Sequence, residues 1–415
     1  MTQKSTRLQV TFVMITLVID AMGIGLIMPV MPDLIREIQG ASLADAAIWG
    51  GYLSFSFAIM QFLFGPTVGS LSDRFGRRPV LLISLFIMAV DYAVMALADT
   101  MWLLLLGRIV GGITAATHST ASAFIADISK DDERSQNFGL VSAAFGVGFV
   151  LGPVVGGLLA SFGPRAPFIA AAIFAGSNFV FGYFVFPETV TDKIRRPFEW
   201  KRANPFGALM NIGRLPGIKP LLIVYFLYQV AFYVYPAIWS YFTQERFGWS
   251  PAMVGGSLAV FGISIAVSQG LLIRKIIPWL GERKTVVMGF AVDIIVFFFT
   301  AILTNGWIVL GLTPLSAVGG MATPAMQGLM SRAAGPEQQG ELQGLLTSIG
   351  ALGMILSPLL MTRTFAMFSE DGAPFYLPGA PFLLSMLLMG LGLTIYLAGW
   401  RKLTPSGQKR DANTT

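Results

Sequence analysis

Asp20, Asp91 and Asp293 each stand alone in an apolar stretch: TLVIDAMGIGL, FIMAVDYAVMA and GFAVDIIVFFF. Arg108 stands alone in LLLLGRIVGGI. An ionised side chain at bilayer depth costs roughly 3 kcal/mol even on lenient insertion scales, so such groups mark ion or proton pathways by default. A carboxylate that alternates between a dry setting and the neighbourhood of a cation takes up and gives off a proton. Arg108 cannot deprotonate. It is expected to hold one acid ionised, Asp20 first, until substrate competes; a permanent structural Arg108–Asp20 pair is the competing reading. His118, the one histidine, follows Arg108 in the same run. Its intrinsic pKa suits proton transfer, against the plainer reading of a satisfied structural residue.

These groups need apolar elements to carry them. The chain has 415 residues, 54% hydrophobic and 12% charged, where a soluble domain carries about 25% charged. Twelve runs are long enough to cross the hydrocarbon, about 20 residues each. They cover 8–31, 46–70, 79–98, 101–126, 136–161, 166–186, 218–242, 252–273, 284–303, 306–331, 340–365 and 377–400. Stretches such as DIIVFFFTAIL do not alternate as barrel strands would, so each run is expected to be a helix. The first run follows Lys4 and Arg7 but has no small-residue cleavage site, and reads as a retained helix.

All but five of the 28 Lys and Arg residues (Arg36, Arg108, Arg165, Arg246 and Arg363) fall on one side of this topology, together with both ends of the chain. The positive-inside rule makes that side cytoplasmic. The net charge of +6 is thus explained by topology, and no basic face is gathered for nucleic acid. Cys is absent, which excludes disulfides and thiolate chemistry. No G-x-x-x-x-G-K-[ST] loop is present to bind ATP. A single His leaves neither a metal cluster nor a nucleophile triad, so no enzyme, metal or cofactor is expected.

A basic Pro/Gly-containing stretch at 188–217 divides the chain into a first bundle (1–187) and a second (218–403), followed by a tail at 404–415. FGLVSAAFGVGFVLGP and QGLLTSIGALGMILSP echo each other: Gly139, Gly148 and Pro153 match Gly344, Gly353 and Pro358 at a constant offset of 205 residues. The same offset carries Gly76 to Gly281. The expected fold is therefore an all-α membrane protein of 12 transmembrane helices in two pseudo-symmetric six-helix bundles, with substrate handled between them.

GSLSDRFGRRPVLL (69–82) resembles the loop signature of the major facilitator superfamily. LGRIVGGITAAT (106–117) resembles its fourth-helix Arg motif, and GVGFVLGPVVGG (146–157) the fifth-helix motif of its proton-coupled exporters. IDAMGIGLIMPVMPDL, IMQFLFGP, VDYAVMALA, FTQERFGW, MQGLMS and QQGELQGLL are similar to segments of the tetracycline/proton antiporter branch. In that branch the acids matching Asp20, Asp91 and Asp293 are required for exchange. The resemblance also implies a charge latch in which Asp73 and Arg77 join Asp127 and Arg134, with Gly69, Arg74, Gly76 and Arg78 shaping and anchoring the loop. Asp73 is further expected to meet the start of the eleventh helix near Gly340, where unpaired N–H groups attract an anion. Gly148, Gly152, Gly156 and Gly157 form a close-packing stripe beside Pro153, with the eleventh helix (Gly353, Pro358) as expected partner. Some members of the branch carry a His in the eighth helix; here the region reads FGISIAVSQG.

Gln61, Tyr92, Gln229, Tyr233, Tyr235, Trp239, Gln269, Gln327 and Gln343 are the candidate cavity lining, an aromatic and amide mixture suited to a flat amphipathic molecule; interhelical glue is the alternative for each. The reading that follows is a proton-coupled antiporter, monomeric in a bacterial inner membrane, exporting an amphipathic drug such as tetracycline, alone or as its divalent-cation complex. An importer or facilitator of a small metabolite is the first alternative. A receptor or chaperone that keeps the fold without transport is the second.

Overall fold

In a medium without water every backbone N–H and C=O must find its partner inside the chain, and the apolar runs do so as helices. A computed structural model describes residues 3–115, 117–129, 133–191, 195, 197–199, 203–210, 218–370 and 373–403, apart from the side chains of residues 3–9, 118, 134, 135, 208, 336 and 400–403. No strand occurs among the described residues. The first bundle is built from α1 (Gln3–Ile27), α2 (Leu43–Phe75), α3 (Arg77–Leu97), α4 (Met101–Thr114 continued by Thr117–Ile128), α5 (Arg134–Leu159) and α6 (Ala166–Val185). The second begins with α7, Lys219–Phe232 continued by Val234–Phe247. The apolar run Pro251–Ile302 has 52 residues, too long for one crossing. Gly281, at φ 74°, breaks it into α8 before and α9 after. α10 (Gly306–Gly319 continued by Ala322–Ala334), α11 (Gln339–Ser369) and α12 (Ala380–Leu403) complete the fold.

Several helices outrun their expected bounds; α2 has 33 residues. Hydropathy registers only the window that lipid tails surround, whereas helical hydrogen bonds continue into the headgroup layer. Met31–Gln39, a short helix between α1 and α2, is also new. It has Pro32 in its first turn, buries Leu34 and Ile35, and stops at Gly40 with φ 63°.

The glycine stripe of α5 packs as expected but on other partners. A Cβ on Gly148, Gly152 or Gly156 would come within 2.2, 2.6 and 2.1 Å of the carbonyls of Val18, Met22 and Leu26, all on α1. Gly157 and the carbonyl of Pro153 pack on α8, at Pro251 and Gly255. The eleventh helix is therefore not the partner of α5. Pro358 and Thr362 of α11 lie against Gly51 on α2, and Gly353 lies against Gln229 on α7. The interface between the bundles is thus α5 with α8 and α2 with α11, a two-fold arrangement in which each bundle offers one small-residue helix to the other.

Contacts between bundles concentrate at the face away from the termini. Ser240 Oγ donates to the Met28 carbonyl at 2.8 Å, Gln244 Nε2 to the Pro29 carbonyl at 3.5 Å, and Arg363 to the Tyr52 hydroxyl at 3.2 Å. At the opposite, basic face a Cβ on Gly69, Gly139 or Gly340 would meet no described atom within 4 Å. The hydrogen bonds named above tie the bundles at one face, whereas these three glycines at the other face open space. At the seal, burial pushes the Asp33 carboxyl above its ordinary value, against the opposing pull of Arg36 and a hydrogen bond from Gln244. Charging Asp33 therefore works against the seal, which should be firmest at low pH and loosen as pH rises through that raised pKa.

Because the chain lacks cysteine, a Met28→Cys/Ser240→Cys pair reports the seal directly by crosslinking. Crosslinking with a thiol-pH-insensitive reagent should fall as external pH rises, and Asp33→Asn should flatten that dependence. Gly156→Val should lower stability by roughly 1–3 kcal/mol through overpacking of α1 against α5, read as a lower unfolding temperature in detergent.

Candidate functional site

Between the bundles lies a cavity of about 660 Å3. Its polar wall comes from α1, α3 and α4. Asp20 faces it together with Ile24 and Ile27, one helical face of α1; Asp91 and Tyr92 enter from α3, and Arg108 from α4. Phe57, Phe145, Phe149 and several Met side chains supply apolar wall. The second bundle contributes Tyr233, Pro236, Ala237, Ser240 and Tyr241 from α7 with Met354 and Pro358 from α11. All the charge in the cavity belongs to the first bundle.

Arg108 pairs with Asp91, through Nη2 and Oδ2, and not with Asp20 as expected from sequence. The reason is packing. A Cβ on Gly107 or Gly111 would sit within 2.7 Å of the Asp91 carboxylate, so two glycines one turn apart on α4 make the bay into which Asp91 fits beside the guanidinium. Arg108 also lies over the Phe57 ring at 5.1 Å. Asp91 Oδ1 and Arg108 Nε are buried without a hydrogen-bond partner among the described residues, leaving polar capacity beside the cavity. Asp20 is instead hydrogen-bonded by Thr117, just after the break in α4. At that break Gln61 Nε2 donates to the Ala115 carbonyl at 3.2 Å, closing a backbone group the interrupted helix cannot satisfy. Tyr92 is buried against α1 at Gly23.

Asp293 departs from expectation further. It is fully buried inside the second bundle and does not line the cavity. Tyr228 donates to its Oδ2 at 3.3 Å and Ser316 to its Oδ1 at 3.2 Å, while Tyr235 donates to Ser316 at 2.9 Å. Gly319 makes room for the carboxylate. No cation pairs with it among the described residues. Tyr235 thus serves this inner network rather than the cavity. The same correction applies to Trp239, which donates to Ser257 at 2.8 Å, to Gln327, which donates to Tyr225 at 3.2 Å, and to Gln229, packed under Gly353. Gln269, within a π-helical turn, and Gln343 are exposed. Amides and aromatics occur on every face of these helices, and sequence alone does not say which face meets the void. Of the nine lining candidates, Gln61, Tyr92 and Tyr233 reach it. The side chain of His118 lies outside the described residues.

At the basic face Arg77 bonds Asp73 and Ser72 and reaches Asp127 at 3.2 Å. Glu188, three residues past the end of α6, accepts from the backbone N–H groups of Arg77 at 2.9 Å and Arg78 at 3.3 Å. Arg78 donates to the Tyr183 carbonyl and stacks over its ring; Arg74 lies over Phe75. This network joins α2, α3, α4 and α6 within one bundle. Asp73 does not meet the start of α11: it pairs with Arg77, and Gly340 faces open space. The side chain of Arg134 lies outside the described residues. Across the repeat, Glu282 and Arg332 form the matching pair, with the charges exchanged relative to Arg77 and Asp127. The Gly76–Gly281 offset was a signal for it; nothing in the sequence singled out Glu188, Gly111 or Tyr228.

Removing one member of a buried ion pair strands the other, a loss of about 3–5 kcal/mol. Arg108→Leu should therefore lower thermal stability in detergent strongly, and Arg108→Leu/Asp91→Leu should recover most of it. Equal destabilisation by the single and double variants would refute the pairing.

Residues 13–358 match the Major Facilitator Superfamily. The chain is 42% identical over 351 residues to the tetracycline resistance protein, class C, of Escherichia coli, covering 85% of this chain and 88% of that one. It is 39% identical over 358 residues to the class B protein of the same organism, with 86% and 88% covered. Among solved structures, the human organic anion transporter MFSD10 superposes with a TM-score of 0.68 at 26% identity, covering 94% of this chain and 99% of that one. A two-bundle helical fold, the D-R-x-G-R-R loop knotted by Arg77, and identity at this level over most of the length place the chain in the Major Facilitator Superfamily, a family of membrane transporters, within the branch of the tetracycline resistance proteins.

Proposed function

We propose that this protein is a proton-coupled antiporter of a bacterial inner membrane, with both ends cytoplasmic, which exports an amphipathic drug such as tetracycline by alternating access. The observation that carries the reading is the cavity itself. It sets one carboxylate, Asp20, and one ion pair, Asp91–Arg108, in an otherwise apolar and aromatic hollow between two bundles. Those three groups sum to a single negative charge when all are ionised, which suits either one proton or one substrate of net positive charge, including a drug complexed with a divalent cation. Competition between the two for Asp20 is the simplest coupling: each expels the other, and the two never ride together.

Parting of the bundles at the basic face and sealing at the other correspond to the state that loads from the cytoplasm. Opening the far side requires the contacts at Met28, Pro29 and Tyr52 to break and the Arg77 network to find a partner across the mouth. Two packed arrangements exchanged in this way are the usual basis of such transitions. Asp293 enters the scheme as a separate proton position. Tyr228 and Ser316, on α7 and α10, cover it, so exchange there requires those helices to move. Movement of the proton and movement of the bundle then become one event.

The test uses everted membrane vesicles. Added tetracycline should drive proton release from energised vesicles containing the wild-type chain, and Asp20→Asn should reduce that to background. Asp293→Asn should abolish gradient-driven accumulation while retaining tetracycline binding to the purified protein. Uptake of drug by intact cells, or proton movement undiminished in Asp20→Asn, would defeat the proposal.

A further inference from the structure

At the seal, α2 offers two adjacent glycines to the second bundle, and a hydroxyl occupies the notch over each. A Cβ on Gly51 would sit 2.3 Å from Thr362 Oγ1 of α11, and a Cβ on Gly50 would sit 2.0 Å from the Tyr241 hydroxyl oxygen of α7. Both side chains are buried, Thr362 to 1% exposure and Tyr241 to 5%. Their hydrogen bonding differs. Thr362 donates to the Pro358 carbonyl at 2.7 Å, one turn back in its own helix. The Tyr241 hydroxyl is buried with no hydrogen-bond partner among the described residues.

The difference follows from the side chains. A threonine hydroxyl is one bond from Cβ and reaches the carbonyl four residues back. A phenol hydroxyl stands at the far end of a rigid ring, beyond its own backbone, and must find its partner on another element. Opposite it α2 presents Gly50, mid-helix, whose backbone groups are engaged in the helix itself. The polar neighbours of Tyr241 on α7 are engaged too: Ser240 donates to the Met28 carbonyl, and Gln244 to the Pro29 carbonyl and to Asp33. A polar group buried without a partner gives up its water for nothing in return, and leaving one so costs more than the hydrogen bond is worth when made. Tyr241 bears that cost only while the seal is shut, because the notch lies between bundles. Separating α7 from α2 returns the hydroxyl to water. Tyr241 and Gly50 both line the cavity, so their parting admits water to it from the far side.

We infer that Tyr241 is the release residue of the seal: its hydroxyl, lodged over Gly50 without a partner, weakens the shut arrangement and sets how readily the far face opens. Tyr241 has this role on the alternating-access reading proposed above. Ser240, Gln244 and Arg363 hold the two bundles together at this face, and Tyr241 opposes them from within the same contact. The shut arrangement is thereby kept shallow enough for the other packed state to be reached. Deleting this one polar group should strengthen the interface, the opposite of deleting the Ser240 hydroxyl.

Alkylation of a single cysteine tests this in the full chain. Ser54 lines the cavity from α2 and is replaced by cysteine in a chain that has no other. A membrane-impermeant maleimide applied at the sealed face reaches it only in molecules whose seal is open. Ser54→Cys/Tyr241→Phe should label there at least about fivefold more slowly than Ser54→Cys, with the rate at the basic face unchanged, and should unfold at a higher temperature in detergent. Ser54→Cys/Gly50→Ala, whose added methyl collides with the hydroxyl, should label faster at the sealed face, and adding Tyr241→Phe should bring that rate back down. Sealed-face labelling of the Tyr241→Phe variant that is unchanged or faster would overturn the assignment, as would a lower unfolding temperature. Intact cells and everted vesicles present the two faces in turn. Fast labelling of Ser54→Cys in intact cells and slow labelling in everted vesicles would refute the proposed orientation of the transporter, while the variants compared at the slow face would still decide the role of Tyr241.

Discussion

A charge in lipid must be answered by another charge, by dipoles or by water, and much of this molecule follows from how each intramembrane charge is answered. Asp91 and Arg108 answer each other. Their closeness requires two glycines on α4, since any larger side chain at Gly107 or Gly111 would occupy the carboxylate's bay. The pair in turn lets Asp20 stand apart, held by the Thr117 hydroxyl and facing the cavity. Had Arg108 closed on Asp20, Asp91 and not Asp20 would be the cavity acid left outside an ion pair. The position of one guanidinium thus decides which carboxylate can work.

The two bundles share a fold but divide the labour. The first supplies every charged group in the central cavity and closes its own basic end with Arg77, Asp127 and Glu188. The second supplies uncharged wall and keeps its single deep acid, Asp293, among hydroxyls. Even the equivalent ion pair is written in opposite charge, Arg77 and Asp127 on one side against Glu282 and Arg332 on the other. Such inversion preserves a local ion pair in each bundle.

The parts of this architecture that rest on repeated apolar runs were legible in the sequence, because a 20-residue apolar run in lipid has few alternatives to a helix. The repeat was legible too, since glycines and prolines sit where backbones touch and cannot drift. Lone charges announced themselves by cost. What was not legible was azimuth. Asp20 and Asp293 look alike as strings, yet one faces the void and the other the interior of its bundle. Gln61 and Gln343 look alike, yet one patches the broken backbone of α4 and the other is exposed. Pairing was equally hidden: the choice of Asp91 over Asp20 lies in a bay formed by glycines on a different helix. The α5 stripe found α1 and α8 because they are its neighbours in space, whereas the repeat had pointed to its symmetry mate.

The contrast between the two kinds of buried acid bears on how the proposed antiport would do work. A carboxylate in an open cavity responds to whatever enters, and its state changes with no motion of the protein. A carboxylate covered by Tyr228 and Ser316 responds only when α7 and α10 separate, so its state records a conformation. The breaks in those helices, at Tyr233 in α7 and at Gly320–Met321 in α10, lie close in sequence to the residues concerned and give each helix a point at which to bend. The proposed antiport draws on both kinds of acid: Asp20 would sense cargo, and Asp293 would sense which way the protein faces. Under that proposal, an acid that sensed both would let cargo and proton exchange without the bundles moving, and the gradient would leak.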